Sequence, residues 1–506
     1  MLIKYQGPRN RVFLEVSYQL KIMVEQAAET LEKKSHRYNG LHDNQSFKNW
    51  ASDSRGLLWI RGKPGAGKST LLKYALDDTT MAVRVSGRND LIISFFFHGR
   101  GHELQKTKKG LCRSLLHQLL SKSPGAFSSL IDTYVERKKT IGKVDQEWEW
   151  DENELWGFLE GALPKILISF SVVLFVDALD ECDEEVSISL VNDFLTLLEA
   201  QGKGSNGFRI CFSCRHYPIL EPEYRFNSGL IISVEDENSA DIQNYVEKRL
   251  SDPPPDHRDY VSLIVSRARG IFLWAHLVVK KVLHLRSRKK GRPEIEQEIE
   301  KIPQDLYKLY RRLFEELEER PQTLKLIQWI CFSKEPLSSS EIQWAMAINP
   351  DHRHNTLQEC RNAVGFIGDD DIDGRIKVLS CGLAEVQSNK KTVQFIHQSV
   401  MDFFTTTGLA VLAEKSMSAD QISIEANYCI ARSCIQYIAM EEFAKKHDEI
   451  VADFPLLKYA VLAWVQHAEK AEGIATAEYI LDLFGSPSKR LLERWEFLRW
   501  GMTKEA

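Results

Sequence analysis

Long apolar runs, disulfide patterns and a secretory leader are all missing from this chain of 506 residues. No segment approaches the roughly 18 consecutive apolar residues that a membrane-spanning helix needs. The first residues, MLIKYQGPRNRV, lack the apolar core of a secretory signal, and the nine cysteines are scattered in a way that does not resemble a disulfide framework. These absences predict a reducing, cytoplasmic (intracellular) setting and no transmembrane segment.

A strong excess of one charge is missing as well. The formal net charge of −5 gives no global field that would attract nucleic acid or an anionic membrane, so either partner would need a local patch. One basic run, residues 286–292 (RSRKKGR), is typical of a solvated linker, with a nucleic-acid or targeting patch as the alternative. No self-similar period of about 20 to 50 residues is present, which argues against a repeat array.

What is present first is an alternation of short apolar runs with amphipathic stretches. The predicted strands are residues 57–61, 91–97, 172–176, 208–213 and 230–234, with the apolar segment 166–176 read as buried strand by its length. The predicted helices between them are residues 68–76, 104–121 and 185–200. This order predicts an α/β fold with a doubly wound parallel sheet covered on both faces.

Helical patterns take over after residue 235. A helix over residues 240–250, with Ser239 as a candidate cap, opens a helical lid. Helices over 303–317, 324–332 and 339–348 precede two short strands, 379–386 and 392–396, and helices followed by a hairpin suggest a winged-helix module. We therefore predict these domains: a helical lead-in (1–50), the sheet-containing core (51–235), helical lid and linker (236–300), a winged-helix-like domain (301–410) and a C-terminal helical region (411–506).

The most specific motif is GKPGAGKS, residues 62–69, which matches G-x-x-x-x-G-K-[ST] between a predicted strand and a predicted helix. Its backbone N–H groups and the helix N-terminus suit phosphate oxygens; Lys68 is expected against the β and γ phosphates and Ser69 on Mg²⁺. A glycine turn with an incidental lysine is the alternative. The predicted nucleotide-binding residues here are Gly62, Lys63, Pro64, Gly65, Ala66, Gly67, Lys68, Ser69 and Thr70.

A second motif is the apolar strand VVLFV followed by the acidic stretch DALDE. A phosphate site lies at the carboxyl end of such a sheet, so Asp177 is placed to hold Mg²⁺ through water, with Ser69 as the other metal ligand. Asp180 or Glu181 can orient or deprotonate the attacking water, and Lys68 assists catalysis. A strand that ends in an acidic helix cap is the alternative.

The strand at residues 208–213 is followed by Arg215, which could reach the γ phosphate from a neighbouring strand tip; a surface ion pair is the alternative. Cys211 and Cys214 form a C-x-x-C in the same stretch. On a strand an i, i+3 pair points to opposite faces, and no second pair completes a zinc site. We expect two buried thiols.

In this order, GKPGAGKST, VVLFVDALDECDE and FRICFSCRHYP resemble the NACHT module of signal-transducing STAND P-loop NTPases. The later segments GIFLWAHLVVKKV, IPQDLYKLYRRLF and FIHQSVMDFF extend the resemblance to fungal NACHT proteins of the nephrocystin-3-like N-terminal type, which are related to animal NOD-like receptors. The resemblance covers roughly residues 40 to 410. Neither an effector domain nor ankyrin or WD repeats are evident, so a truncated product, a minimal switch working with partner chains and a nonfunctional relative are the options.

The resemblance implies a nucleotide-dependent switch. ADP would hold the module closed, and exchange for Mg²⁺–ATP, slowly hydrolysed, would open it for self-association and for an unidentified protein partner, in fungal innate-immunity or incompatibility signalling. A winged-helix histidine of the family contacts the nucleotide, and His397 takes the matching place, with a buried structural histidine as the alternative. Arg215 matches the family's sensor arginine. ATP is expected over GTP because of the family and because no N-K-x-D motif is seen.

Two other functions compete with the switch. In a DNA-binding regulator the winged helix would read a groove, but the helix predicted over residues 339–348 contains no Lys or Arg, whereas a recognition helix is basic. Nucleic acid is therefore not an expected partner. The other competitor is a catalytically vestigial protein-interaction scaffold, which failure to bind nucleotide would reveal.

Overall fold

The computed structural model describes residues 41–504 except 42, 87–89, 100, 102, 145–146, 201–205, 217–229, 252–257, 316, 318, 350–354, 363–367, 369–370, 388–390, 415–416, 445–453 and 472–488. The helix predicted within the N-terminal lead-in lies outside the described residues. The chain divides into two compact units, the first ending at Gln304 and the second beginning at Asp305. Within the described residues, no helix is both long and apolar enough to cross a membrane.

The first unit contains one five-stranded parallel sheet and the helices around it. The strands are β1 Arg55–Arg61, β2 Asp90–Phe96, β3 Ser171–Asp177, β4 Phe208–Cys214 and β5 Leu230–Ser233. The helices are α1 Gln45–Ser52, α2 Lys68–Ser86, α3 Lys108–Leu120, α4 Ser128–Thr140, α5 Glu152–Ile166, α6 Glu184–Ala200, α7 Val234–Glu237, α8 Ser239–Leu250, α9 Arg258–Ala268, α10 Phe272–Ser287 and α11 Arg292–Lys301.

Strand order in the sheet is β2-β3-β4-β1-β5, and every neighbouring pair is parallel. The predicted α/β class with a parallel sheet is confirmed. Strand β4 lies between β1, which leads into the phosphate loop, and β3, which ends in the acidic stretch. Residues at the end of β4 are therefore held between the two motifs.

Alternating side chains of β1, β2, β3 and β4 enter two separate apolar cores, one on each face of the sheet. Along β3, Val172, Leu174 and Val176 belong to the larger core beneath α3, α5 and α6. Val173 and Phe175 belong to the core shared with α1 and α2. Because the period of a strand is two, Asp177 continues the second series and lies on the face that carries α2.

Helices α4 and α5, which lie between strands β2 and β3, were not predicted. The reading of residues 166–176 as one strand is wrong in its first part, because Ile166 ends α5 and β3 begins at Ser171. A buried helix end and a buried strand have the same apolar composition, so apolar content alone does not separate them. Trp148 and Trp150 pack edge-to-face at this insertion, with ring centroids 4.8 Å apart.

The second unit is mainly helical. Its helices are α12 Leu306–Glu315, α13 Arg320–Phe332, α14 Ser339–Ala347, α15 Leu357–Asn362, α16 Ile372–Leu379, α17 Gln398–Phe403, α18 Leu409–Ala413, α19 Ala419–Ile438, α20 Leu457–Lys470 and α21 Lys489–Lys504. A small antiparallel hairpin, β6 Ala384–Val386 and β7 Val393–Phe395, confirms two of the predicted strands in shortened form. The first is shorter because Leu379 closes α16.

Helix α14 begins with a capping box, in which Ser338 accepts from the Glu341 N–H and the Glu341 carboxylate accepts from the Ser338 N–H. Its side chains from Ile342 onward are buried. A helix packed in this way offers little surface to a DNA groove.

Candidate functional site

The phosphate loop connects β1 to α2 in a tight turn. Gly65 and Gly67 have φ values of 76° and 106°, in the left-handed region that favours glycine. The Ala66 N–H donates to the Lys63 carbonyl at 3.1 Å, which closes the turn. Helix α2 begins directly afterwards, so the N–H groups of its first turn and its positive dipole end open at the loop.

Lys68 is the first residue of α2, and its side chain folds back across the loop. The Lys68 Nζ donates to the carbonyls of Gly62 at 2.8 Å and Lys63 at 3.2 Å. Burial lowers the pKa of Lys68, and the nearby charges of Asp180 and Asp177 oppose this shift. The loop, its lysine and both carboxylates therefore share one electrostatic environment.

Asp177, the last residue of β3, is buried and receives hydrogen bonds from two hydroxyl groups. The Ser213 hydroxyl donates to Asp177 Oδ1, and Ser69 supplies the second hydrogen bond. Burial raises the pKa of Asp177, and these two hydrogen bonds act against that shift. The Ser213 hydroxyl oxygen also accepts from the Ala178 N–H at 2.9 Å, which ties the tip of β3 to β4.

Asp180 and Arg215 form a two-point pair at the ends of β3 and β4. The Arg215 Nε lies 2.9 Å from Asp180 Oδ2, and the Arg215 backbone N–H donates to Oδ1 at 3.0 Å. Glu181 points elsewhere: its Oε2 accepts from the Gly99 N–H, at 2.7 Å, just past β2. The two acidic residues that the sequence left as alternatives are thus held by different partners.

This geometry fits a magnesium nucleotide. A hydroxyl and a carboxylate, from Ser69 and Asp177, are the hard oxygen donors that Mg²⁺ prefers, and they already lie in hydrogen-bond contact. The loop presents N–H groups at a helix N-terminus, which suits phosphate. The predicted site residues that the structure brings together at the carboxyl edge of this sheet are Gly62, Lys63, Pro64, Gly65, Ala66, Gly67, Lys68, Ser69, Thr70, Asp177, Asp180, Glu181 and Arg215.

His397 belongs to the second unit, where it caps α17. Its Nδ1 accepts from the Ser399 N–H at 3.0 Å and bonds to the Ser399 hydroxyl at 2.8 Å. The Nδ1 is therefore an acceptor, which leaves the proton of the neutral ring on Nε2. The contact of His397 with nucleotide remains a prediction.

Cys211 and Cys214 are both buried, and they belong to different cores, Cys211 to the one shared with α2 and Cys214 to the larger one. The prediction of two buried thiols on opposite faces is confirmed.

Three residues near the loop escaped the sequence analysis: Ser213, Glu235 and Asn238. Ser213 could have been found from the sequence, because it lies two residues after Cys211 on the same predicted strand and therefore points to the same face of the sheet. Glu235 and Asn238 carry no such signal. Asn238 takes the cap position before α8, but its side chain donates to Ala66 and Gly270, and the proposed cap at Ser239 is wrong because Ser239 is already the first helical residue.

Comparison with known proteins finds a family match over the segment that contains this site. Residues 38–215 match the family described as Nephrocystin 3, N-terminal. The vegetative incompatibility protein HET-E-1 of Podospora anserina is 24% identical over 383 residues, covering 72% of this chain and 25% of that protein. The chain therefore spans about a quarter of the length of this curated relative.

Two solved structures are similar over most of the chain. The first is the Aeropyrum pernix ORC1 protein in complex with DNA, which is 14% identical, with 82% of this chain and 95% of that chain covered and a TM-score of 0.32. The second is a point mutant of Thermotoga maritima RuvB, which is 13% identical, with 77% of this chain and 93% of that chain covered and a TM-score of 0.25. TM-scores this low do not establish a common fold, so the α/β class of this chain follows from its own parallel sheet.

The matched segment runs from before the phosphate loop to Arg215, so it contains both the loop and the acidic strand end. The sequence match to HET-E-1 extends well beyond it. The family match and the similarity to HET-E-1 confirm the resemblance to NACHT-type STAND NTPases that the motifs predict.

Proposed function

We propose that this protein is a signalling switch that binds ADP and Mg²⁺–ATP at the carboxyl edge of its sheet and hydrolyses ATP slowly. One observation carries the proposal: Lys68, Asp177, Asp180 and Arg215 interact electrostatically beside a phosphate loop. Burial shifts the pKa values of Lys68 and Asp177, and buried ionisable groups perturbed in this way are typical of functional sites.

Binding follows from the chain's own groups. The loop N–H groups would receive phosphate oxygens, and Lys68 would exchange its two carbonyl partners for the β and γ phosphates. Ser69 and Asp177 would hold Mg²⁺, which supplies charge neutralisation at the phosphates when bound. The ligand's negative charge offsets the desolvation that burial imposes on Lys68.

Sensing would depend on the pair of Arg215 and Asp180. A γ phosphate near the tip of β4 competes with Asp180 for the guanidinium, whereas ADP leaves the pair as it is. A switch requires such a difference, because a ligand that binds both states equally shifts no equilibrium. His397 is the second candidate for this role.

Hydrolysis is assigned to the same acidic stretch. Release of Asp180 by Arg215 would free a carboxylate to orient or deprotonate water, and Glu181 is the alternative base. In this arrangement one arginine would link γ-phosphate detection to the availability of the base.

The biological setting is proposed by analogy. HET-E-1 is named as a vegetative incompatibility protein, which supports a role in fungal incompatibility or innate-immunity signalling, in the cytoplasm. We propose self-association on ATP binding and an unidentified protein partner. The proposed domains remain the lead-in (1–50), NACHT core (51–235), lid and linker (236–300), winged-helix-like domain (301–410) and C-terminal helices (411–506).

The test is to purify the chain without added nucleotide, denature it, and identify the released ligand by chromatography beside a Lys68→Ala variant. We expect ADP from the native chain and none from the variant. A native chain that releases nothing and also fails to bind added ATP would overturn the switch in favour of a scaffold.

A further inference from the structure

Asn238 is a polar side chain with no solvent exposure, at the junction between α7 and α8. A buried amide requires hydrogen-bond partners, and Asn238 finds two that are distant in sequence. Its Nδ2 donates to the Ala66 carbonyl at 2.8 Å and to the Gly270 carbonyl at 2.7 Å. One side chain thus joins the phosphate loop to the turn that precedes α10.

The outer side of the loop is held at two further points. The Leu273 N–H, in the first turn of α10, donates to the Gly65 carbonyl at 3.0 Å. The Glu235 carboxylate accepts from the Lys63 N–H at 3.2 Å. Packing is close here as well, since a Cβ added to Gly65 would lie 2.8 Å from the Leu273 Cβ. The carbonyls of Gly65 and Ala66 are therefore held from the protein side by hydrogen bonds, which we call the backing of the loop.

This backing affects the side that faces a phosphate. In a planar trans peptide the carbonyl of one residue and the N–H of the next point in opposite directions. When Asn238 holds the Ala66 carbonyl toward the protein interior, the Gly67 N–H of the same peptide is directed away from the interior. Gly67 immediately precedes Lys68 and Ser69, the residues proposed to meet phosphate and Mg²⁺.

We propose that Asn238 is a positioning residue of the nucleotide site, which orients the Ala66–Gly67 peptide so that the Gly67 N–H donates to a phosphate common to ADP and ATP. The proposal rests on the proposed function. Loop N–H groups of this kind cradle the α and β phosphates, so both nucleotides depend on them equally. Through Gly270, the same amide couples the loop to the start of α10.

The experiment measures ADP and Mg²⁺–ATP affinities of the full chain and of Asn238→Ala by calorimetry, at a temperature where both are folded. We expect both affinities to fall about tenfold, the loss of one charge-assisted hydrogen bond, with their ratio unchanged. Asn238→Ser retains one donor, and its nucleotide affinities should lie between those of the native chain and those of Asn238→Ala.

A matched control comes from Gln118, another amide that braces backbone. Its Nε2 donates to the Ser94 carbonyl at 2.8 Å and its Oε1 accepts from the Ser94 N–H at 3.0 Å, on β2, which β3 and β4 separate from β1. Gln118→Ala should lower thermal stability and leave nucleotide affinity unchanged. If Asn238→Ala behaves like Gln118→Ala, Asn238 is structural only and the proposal is overturned.

A measurement on the unaltered chain covers the case in which Asn238→Ala does not fold. ADP binding should slow hydrogen exchange both in the loop and at the start of α10, residues 271–275. Protection of the loop alone would overturn the coupling. If the native chain binds no nucleotide, the proposed function fails as well; if it binds, Lys68→Ala does not, and Asn238→Ala matches the native chain, only the Asn238 proposal fails.

Discussion

Ionisable groups are buried both at the carboxyl edge of the sheet in the first unit and in the polar interior of the second unit. The two regions differ in how the buried groups are compensated. At the sheet edge, burial acts against the charged forms of Lys68 and Asp177. In the second unit, His467 is 3% exposed and belongs to a series of hydrogen bonds in which each donor has an acceptor. Of these two regions, the sheet edge is the one that gathers charges a ligand could compensate.

The series in the second unit has one consistent direction. The Lys334 N–H donates to the Tyr459 hydroxyl at 3.0 Å, that hydroxyl donates to His467 Nε2 at 2.7 Å, and His467 Nδ1 donates to Asn427 Oδ1 at 2.8 Å. The Asn427 amide then donates to the Ser423 carbonyl at 2.8 Å. Each donor meets an acceptor within the chain, which is how a buried polar network stabilises a fold.

Buried polar groups therefore have two uses in this chain. Where the chain matches every donor and acceptor, its polar groups stabilise the fold, and breaking the series should cost stability. Where buried charged groups are left for a ligand to compensate, substitution of those groups should weaken ligand binding. Substitutions in each region, and a change of pH, distinguish the two uses.

The largest effect is expected for His467→Ala. Loss of the imidazole leaves a cavity and removes one hydrogen-bond partner from each of Tyr459 and Asn427, so the free energy of unfolding should fall by about 4 kcal/mol. Urea unfolding measures this, and Gln466→Ala, an exposed change on the same helix, should have almost no effect. A change in ADP affinity equal to that of Lys68→Ala would contradict a purely structural role for this network.

Acid should weaken the same network. Burial lowers the pKa of His467 from 6.5 to about 4, so between these values the unfolded state binds the proton that the folded state refuses. Stability should therefore fall as the pH falls from about 6.5 to 4, by about 3 kcal/mol in total. Urea unfolding of the native chain and His467→Gln across this range isolates the contribution, and parallel curves would contradict it.

For Lys68→Ala we expect about a hundredfold weaker ADP and ATP binding, roughly 2.7 kcal/mol, because a charge-assisted contact to phosphate is lost. Unfolding without nucleotide should change little, since burial of the lysine already costs free energy. Calorimetry and urea unfolding provide the two readouts. Lys73→Ala, on the same helix, is the control and should bind normally.

Ser213→Ala should raise the Mg²⁺ concentration needed for tight ATP binding by about tenfold, or 1.4 kcal/mol, because Asp177 loses one of the two hydroxyl groups that orient it. ADP binding without Mg²⁺ should be unaffected. A titration of ATP affinity against Mg²⁺ measures the effect, and Ser213→Thr, which restores the hydroxyl, should recover most of it. Equal losses with and without Mg²⁺ would indicate a general packing defect.

The smallest effect is expected for Arg215→Ala. ADP affinity should stay near normal while the preference for ATP weakens by about threefold, on the order of 0.7 kcal/mol, since the arginine would contact only the γ phosphate. Separate titrations with ADP and Mg²⁺–ATP give the ratio, with Arg215→Lys as a variant that keeps the charge. An unchanged ratio would remove the sensing role.

Much of the sheet edge could be predicted because its signals are local. The phosphate loop is a contiguous motif, and the acidic stretch follows an apolar run, so strand, turn and helix were correctly ordered. The insertion of α4 and α5 was missed because apolar residues in a buried helix end, such as Ile166, resemble those of the adjoining strand. Most other boundaries shifted by a few residues, but the helix predicted over residues 68–76 extends to Ser86.

Local sequence patterns are sufficient to identify the groups of the candidate site: a phosphate loop, a carboxylate at the end of a strand and an arginine at the end of another. How these groups are held depends on the packing of the folded chain. Sheet order puts β4 between the two motifs, which lets Ser213 orient Asp177 and pairs Arg215 with Asp180. Asn238 meets Ala66 across 172 residues of chain, and a contact at such separation leaves no local pattern, because side-chain direction depends on the packing of elements that sequence spacing does not relate.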